Sequence, residues 1–109
     1  MLRAFCDRVR EKTRRSDLLV RRGGEEFVLV LPSTDQERAL ALAERIRRSV
    51  AERAFDDDAG PPVRQTVSIG VATWDGRESA EDLLHRADMA LYAAKSAGRD
   101  RVWSQAAHP

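Results

Sequence analysis

The chain has 109 residues, of which 42% are hydrophobic, 34% charged and 6% aromatic. This composition is typical of a small globular domain and excludes the disordered, fibrous and membrane-spanning classes. Nineteen Lys and Arg residues against eighteen Asp and Glu residues give a net charge of +1, which excludes the strong positive field of a general DNA or RNA binder. The single cysteine, Cys6, excludes an internal disulfide and multi-cysteine zinc sites. We therefore expect one domain in the cytoplasm.

The first 31 residues predict a helix followed by a β-hairpin. Apolar residues recur at helical spacing near the start, which predicts an amphipathic helix over residues 2–14. Two β-rich runs follow, at residues 17–22 and 25–31, and Gly23 and Gly24 separate them. A tight hairpin turn needs positive φ at its centre, which glycine adopts without steric cost. We therefore place the turn at these two glycines.

A second helix and a loop are predicted after the hairpin. Thr34 and Glu37 have the spacing of a capping box, in which Thr34 would cap the N-terminus of the helix. One apolar face then continues to about Arg53. Residues 56–62 contain three acids, one glycine and two prolines, a composition typical of a solvated loop.

The last third of the chain predicts a strand, a helix and a short closing strand. In the strand at residues 66–73, small residues such as Gly70 alternate with larger apolar ones, so we expect close packing on the small-residue face. The final helix should run from Ser79, its capping residue, to Gly98. Residues 101–103 predict the closing strand. The order α, β, β, α, β, α, β indicates an α+β sandwich.

The tip of the predicted hairpin carries the sequence Gly-Gly-Glu-Glu-Phe. It places two carboxylates, Glu25 and Glu26, beside a backbone that no side chain shields, where a divalent cation and a phosphate can approach together. Successive strand residues point to opposite faces, so only one of the two acids can easily face such a ligand. The alternative is an ordinary hairpin with two acids in solvent.

Three motifs in the right order resemble the GGDEF family, the diguanylate cyclases. RRGGEEFVLVLP resembles the signature hairpin of the family, TVSIGVA its later strand, and ADMALYAAKSAGR its C-terminal helix. The resemblance implies a palm-like sandwich of the ferredoxin-like, nucleotidyl cyclase type. It also implies that residues 1–103 are part of a GGDEF domain and residues 104–109 a C-terminal tail.

The resemblance implies the condensation of two GTP molecules into cyclic di-GMP with release of two pyrophosphates. Mg²⁺ or Mn²⁺ would be the cofactor, and a homodimer would bring together two domains that each hold one GTP. Glu25 would be a metal ligand and the catalytic acceptor of the 3′-hydroxyl proton, and Glu26 a supporting metal ligand. Gly23 and Gly24 would let the nucleotide lie against the backbone.

Two cations near the end of the last helix, Lys95 and Arg99, bind the triphosphate by the same resemblance. An ammonium and a guanidinium suit a polyphosphate. The alternative is structural, because Lys95 in the last helical turn opposes the helix dipole and Arg99 is a solvated loop residue.

Five residues separate an Arg-x-x-Asp sequence, Arg14 to Asp17, from the first glycine of the hairpin. In the family this motif at this distance is the inhibitory site for the product cyclic di-GMP. Arg14 can contact the O6 and N7 edge of guanine or a phosphate, and Asp17 can accept from guanine N1 and N2. Arg45 matches a further arginine of that site. Alternatively, Arg14 and Arg45 are exposed helix cations and Asp17 forms a turn.

The first helix and the central strand of the family, with its first metal-binding aspartate, have no counterpart in the chain. This leaves the inner edges of the two neighbouring strands unpaired, so either those strands close up, another copy covers them, or the chain folds poorly. We expect the chain to be inactive alone. A non-catalytic cyclic di-GMP receptor is the alternative function. The resemblance further implies an N-terminal sensory or regulatory domain in a longer parent protein, which could tether the domain to a membrane. No DNA or RNA polymer is expected as a partner.

Overall fold

The computed structural model describes residues 2–57 and 60–105, and this part of the chain contains three helices and six short strands. In chain order they are α1 (Leu2–Arg10), β1 (Leu18–Gly23), β2 (Glu26–Val30), α2 (Gln36–Glu52), β3 (Phe55–Asp57), β4 (Gly60–Val63), β5 (Ile69–Val71), α3 (Ala80–Ser96) and β6 (Val102–Ser104). No helix within these ranges is long and apolar enough to cross a membrane.

The strands form three separate two-stranded sheets. β1 and β2 are antiparallel, β3 and β4 are antiparallel, and β5 and β6 are parallel. The predicted α+β class is confirmed, and the arrangement is a palm-like fold. Within the described ranges β2 pairs only with β1 and β5 only with β6, so each has one edge without a strand partner, as the sequence predicted.

The core lies mainly beneath α2, whose apolar face is buried as its periodicity predicted. Its largest cluster consists of Val9, Leu42, Ile46, Val50 and Phe55. A second cluster joins Ala39 and Ala43 of α2 to Val71 of β5. Because these two side chains are small, α2 can approach the β5–β6 sheet closely and pack directly on it.

Gly70 packs α3 against the opposite face of the same sheet. A Cβ on Gly70 would lie 2.8 Å from Leu91 Cα and closer still to Leu91 N and Ala87 O. Successive strand residues face opposite sides, so Gly70 faces α3 while Val71 faces α2. The close approach predicted for the small-residue face is therefore confirmed.

Two helix ends differ from the prediction. α1 ends at Arg10 and not near residue 14, because Lys12 and Thr13 donate to carbonyls three residues back and tighten the last turn. The N-cap of α2 is Asp35, whose carboxylate accepts from the N–H of Arg38 at 2.8 Å. Thr34 does not cap the helix, because its hydroxyl donates to a backbone carbonyl and accepts from a guanidinium.

Residues 58 and 59 of the predicted loop at 56–62 lie outside the described residues. The prediction is wrong for the other positions, because they belong to the β3–β4 hairpin. Phe55 pairs with Val63 at its open end, and the Phe55 side chain is only 1% exposed. Burial of this ring anchors β3 in spite of the acids that follow it. Pro61 and Pro62 are tolerated in β4 because they lie between the paired residues Gly60 and Val63, where the register shifts.

The predicted closing strand is present and extends to Ser104. Gln105 donates its N–H to the carbonyl of Val71 at 3.2 Å and continues the pairing. Residues 106–109, the rest of the predicted tail, lie outside the described residues.

Two buried arginines were not expected from the sequence. The guanidinium of Arg8 donates to the Arg53 carbonyl at 2.5 Å, and Cζ of Arg8 lies 3.6 Å from the centroid of the Phe55 ring. Arg86 on α3 forms an ion pair with Glu78, both side chains being at most 10% exposed. Helical periodicity assigns arginine to the solvent face, so neither position gives a signal in the sequence.

Candidate functional site

The hairpin turn lies one residue further along the chain than predicted. Gly23 still pairs with Glu26 in the β1–β2 ladder, so the two turn residues are Gly24 and Glu25. Gly23 and Gly24 have φ values of +144° and +52°, which explains why both are glycine. The shift arises from a bulge in β1, where the register changes between Arg21 and Gly23.

The tip of the hairpin is open to solvent and held from one side. A Cβ on Gly23 or Gly24 would meet no atom within 4 Å. The guanidinium of Arg21 donates twice to the carbonyl of Gly24, at 3.1 and 2.9 Å. The backbone of the tip is therefore accessible to a ligand, as the sequence predicted, while its conformation is fixed by Arg21.

The hairpin tip lies against α3. The Nζ atom of Lys95 is 4.0 Å from Oε2 of Glu26, and these side chains are 38% and 50% exposed. Arg22, the bulge residue, donates from Nη1 to Oδ1 of Asp88 at 2.5 Å. The hydrogen bond and the charge of Asp88 raise the pKa of Arg22, and the charge of Glu26 adds to the increase. The structure thus brings together two of the predicted site residues, Glu26 and Lys95.

Arg99 lies in a left-handed turn after α3. Gly98, Arg99 and Asp100 have φ values of +124°, +61° and +46°. Two contacts hold the turn: Asp100 accepts from Arg47 Nη1 at 2.9 Å, and its N–H donates to Ser68 Oγ at 3.2 Å. Among the described residues no hydrogen bond or ion pair joins the Arg99 guanidinium to the hairpin.

Arg14 and Asp17 form a compact pair across a turn, in which the Asp17 N–H donates to the Arg14 carbonyl at 3.1 Å. Nη2 of Arg14 lies 3.1 Å from Oδ1 of Asp17, and the Arg14 N–H donates to Oδ2 at 2.8 Å. The same Nη2 lies 2.8 Å from the Pro32 carbonyl and from Thr34 Oγ1. The Arg14 side chain is 57% exposed and that of Asp17 only 1%. Burial raises the pKa of Asp17, but the hydrogen bonds and charge of Arg14 outweigh it, so that pKa is lowered.

Arg45 lies in a different place, in a groove of about 330 Å³ between α1 and α2. The groove is lined by Glu11, Lys12, Arg45, Arg48, Ser49, Glu52 and Arg53. Arg14 and Asp17 do not line it. Arg14 and Asp17 therefore contact each other, whereas Arg45 lies in a groove that neither of them lines.

The two acids at the hairpin tip do not form a complete metal site within the described residues. Within the described ranges no group of three or more His, Cys, Asp or Glu side chains is placed to hold a metal ion. Glu25 and Glu26 supply carboxylate oxygens, and Mg²⁺ is commonly bound by one or two carboxylates together with substrate phosphates. The residues present therefore fit a metal that enters with a nucleotide.

Comparison with known proteins agrees with the motifs. The family "Diguanylate cyclase, GGDEF domain" matches residues 1–101. The chain is 55% identical over 89 residues to diguanylate cyclase DgcM of Escherichia coli, covering 82% of this chain and 21% of that protein. It is 41% identical over 102 residues to diguanylate cyclase DgcP of Pseudomonas aeruginosa, covering 94% of this chain and 15% of that protein.

A solved structure shares the fold. The GGDEF domain of DgcB from Caulobacter crescentus, solved in complex with c-di-GMP, superposes with a TM-score of 0.88 and 30% identity. The alignment covers 96% of this chain and 61% of that one. The chain thus spans a quarter or less of these curated relatives and under two thirds of this solved domain.

Proposed function

Because this chain belongs to the GGDEF domain family, we propose that it forms the hairpin-and-α3 half of a site that condenses two GTP molecules into cyclic di-GMP. The observation that carries the proposal is the 4.0 Å separation of Glu26 and Lys95 across the hairpin and α3. An acid suited to a metal and a cation suited to a phosphate lie side by side there. Because no group of three metal-ligating side chains forms within the described residues, we expect the chain alone not to turn over GTP.

The proposed reaction forms two phosphodiester bonds. In each step the 3′-oxygen of one GTP attacks the α-phosphorus of the other, and the bond to pyrophosphate breaks. Glu25 accepts the proton of the attacking hydroxyl, which its position in the solvent-open turn supports. A divalent cation, Mg²⁺ or Mn²⁺, would be held by Glu25 with support from Glu26, and it would neutralise charge on the phosphates.

The remaining residues would hold the nucleotide. The open backbone at Gly23 and Gly24 supports a close approach of the base and sugar. Lys95 would bind the triphosphate from α3, and Arg99 from the turn that follows. Since each domain would hold one GTP, catalysis would need two domains face to face, and we expect the complete protein to act as a homodimer under an N-terminal regulatory domain.

A calorimetric titration of the chain with GTP in Mg²⁺ tests the nucleotide site. We expect weak, Mg²⁺-dependent binding that Lys95→Ala and Glu25→Gln each reduce at least about tenfold, the scale of one charge-assisted contact in a polyphosphate site. Arg10→Ala, an exposed arginine on α1, serves as the control and should bind normally. Binding that neither site variant changes would contradict the proposal.

A second function, the binding of cyclic di-GMP without catalysis, is favoured by the Arg14–Asp17 pair. The exposed guanidinium is already fixed by a buried carboxylate, so little side-chain freedom would be lost when a guanine or phosphate binds. Because the carboxylate of Asp17 is 1% exposed, its geometry supports orienting Arg14 more than contacting guanine directly. The same pair would serve as the product-inhibition site of the enzyme.

Titration with cyclic di-GMP tests this second function. We expect binding that Arg14→Ala abolishes while circular dichroism shows an unchanged fold. An Arg45→Ala variant tests whether the groove between α1 and α2 contributes to the same ligand. A folded chain that does not bind cyclic di-GMP would exclude the receptor.

A further inference from the structure

Two contacts join the hairpin tip to one face of α3. Arg22 contacts Asp88, and Glu26 contacts Lys95. Asp88 and Lys95 are seven positions apart, about two helical turns, and therefore lie on the same side of the helix roughly 10 Å apart. The tip is thus fixed on α3 at two points, of which one involves predicted site residues and the other does not.

The bulge explains how Arg22 reaches the helix. Arg21 is paired with Phe27 and Gly23 with Glu26, so Arg22 has no register partner in β2. In a regular ladder a residue at this position would be held in register by its partner strand. Because Arg22 lies in the bulge, it has no partner in β2, and its side chain can turn toward Asp88.

We propose that Arg22 and Asp88 are positioning residues that hold the hairpin tip on α3 and thereby keep the Glu26 carboxylate beside Lys95. The contact is 2.5 Å long, and both side chains are about two fifths exposed. Glu26 and Lys95 are 4.0 Å apart, at the limit of an ion pair, and so need outside support to stay close. The relevance of this support to catalysis rests on the proposed function; the contact itself does not.

Amide hydrogen exchange of the chain tests the positioning role. Arg22→Ala and Asp88→Ala should each speed exchange at residues 23–27 by about two- to fivefold, the range for a partly exposed ion pair. The double variant should be no faster than either single one, because the two changes remove one interaction. Arg22→Lys should restore most of the protection, and the control Arg10→Ala should leave the tip unchanged.

A second readout reports on Lys95 directly. The NMR signal of the Lys95 ε-methylene should move in Arg22→Ala and Asp88→Ala toward its value in Glu26→Gln, and return in Arg22→Lys. Circular dichroism and unchanged exchange at Ala90, which is fully buried in α3, would show that the variants are folded. Tip exchange and a Lys95 signal that both match wild type in Asp88→Ala would overturn the proposal.

The two proposals fail in different ways. If wild-type chain does not bind GTP in Mg²⁺, the proposed nucleotide site fails, and the exchange and NMR results still decide whether Arg22 and Asp88 hold the tip. If GTP binds and the Asp88→Ala variant binds it as tightly as wild type, with unchanged tip exchange, only the positioning role fails.

Discussion

Single residues carry two interactions that the sequence did not reveal. Arg8 and Arg86 are buried, yet each is surrounded by oxygen atoms that accept its hydrogen bonds. Arg8 donates to the carbonyls of Ser49 and Val50 in the last turn of α2, where carbonyl oxygens have no helical partner. Arg86 joins Glu78 to the carbonyls of Thr73 and Gln105. These partners lie between 8 and 46 positions from their arginine in the sequence, and helical periodicity alone therefore cannot identify such arginines.

Replacing Arg8 should be costly. We expect Arg8→Ala to lower the free energy of unfolding by about 2 to 3 kcal/mol, because charge-assisted hydrogen bonds at the end of α2 and the stacking on Phe55 are lost together. Urea denaturation measures the change. Arg10→Ala, at an exposed position of the same helix, should change stability by less than about 0.5 kcal/mol. Equal effects of the two changes would contradict this account.

Acid should weaken the fold through Glu78. The hydrogen bond from Arg86 lowers the pKa of Glu78 below its ordinary value. Its stabilising contribution is therefore complete above the unfolded-state pKa of about 4.3, and it is lost as the pH falls through the lower value of the folded state.

Urea denaturation at several pH values between 7 and 3 checks this sign. The free energy of unfolding should decrease below about pH 5, and Glu78→Gln should make that decrease smaller. Glu81→Gln, an exposed glutamate in the first turn of α3, is the matched control. A decrease that is identical in wild type and Glu78→Gln would refute the assignment.

At the scale of elements, the sequence was most informative where spacing and packing agree. The alternation of small residues around Gly70 predicted a close neighbour, and α3 is that neighbour. The sequence was least informative at residues 56–62, where acids and prolines suggested a loop. There Phe55 forms β3 by packing under Arg8, and this tertiary contact overrides the local composition.

Gly70→Ala should disrupt the packing of α3 on β5. The added methyl group would meet backbone atoms of Leu91 and Ala87, which cannot move as a side chain can. We expect a loss of about 3 kcal/mol in the free energy of unfolding, at the upper end of overpacking effects. Gly60→Ala, where a Cβ would meet nothing within 4 Å, should be nearly neutral. Similar unfolding midpoints for the two variants would contradict the close approach.

At the scale of the whole molecule, the three small sheets leave apolar surface uncovered. Leu18, Val20 and Val30 of the β1–β2 hairpin are 58%, 43% and 47% exposed. Leu18 pairs with Val30, so these side chains form one patch. Motif order and family resemblance supplied the predicted site residues, which remain predictions. Neither could show the Arg22–Asp88 contact, because it depends on the bulge in β1 and joins residues 66 positions apart in the sequence.

The uncovered hairpin face should make the purified chain self-associate. Sedimentation velocity should show larger species as the concentration rises, because exposed apolar residues next to an unpaired strand edge favour association. Val20→Lys places a charge in the patch and should shift the chain toward monomer, whereas Glu81→Lys on α3 should not. A wild-type chain that is monomeric at every concentration would disprove this expectation.

The Glu26–Lys95 contact has a consequence for the order of events at the site. Without ligands, Glu26 serves as a counter-ion for Lys95, so a triphosphate that arrives alone competes with a carboxylate already in place. If Glu26 were a ligand of a divalent cation, as proposed, its carboxylate would no longer compete and the Lys95 ammonium would be free for the phosphates. On the proposed function, the metal would therefore act before the phosphates are bound as well as during the reaction, and nucleotide association would be slow wherever the cation is scarce.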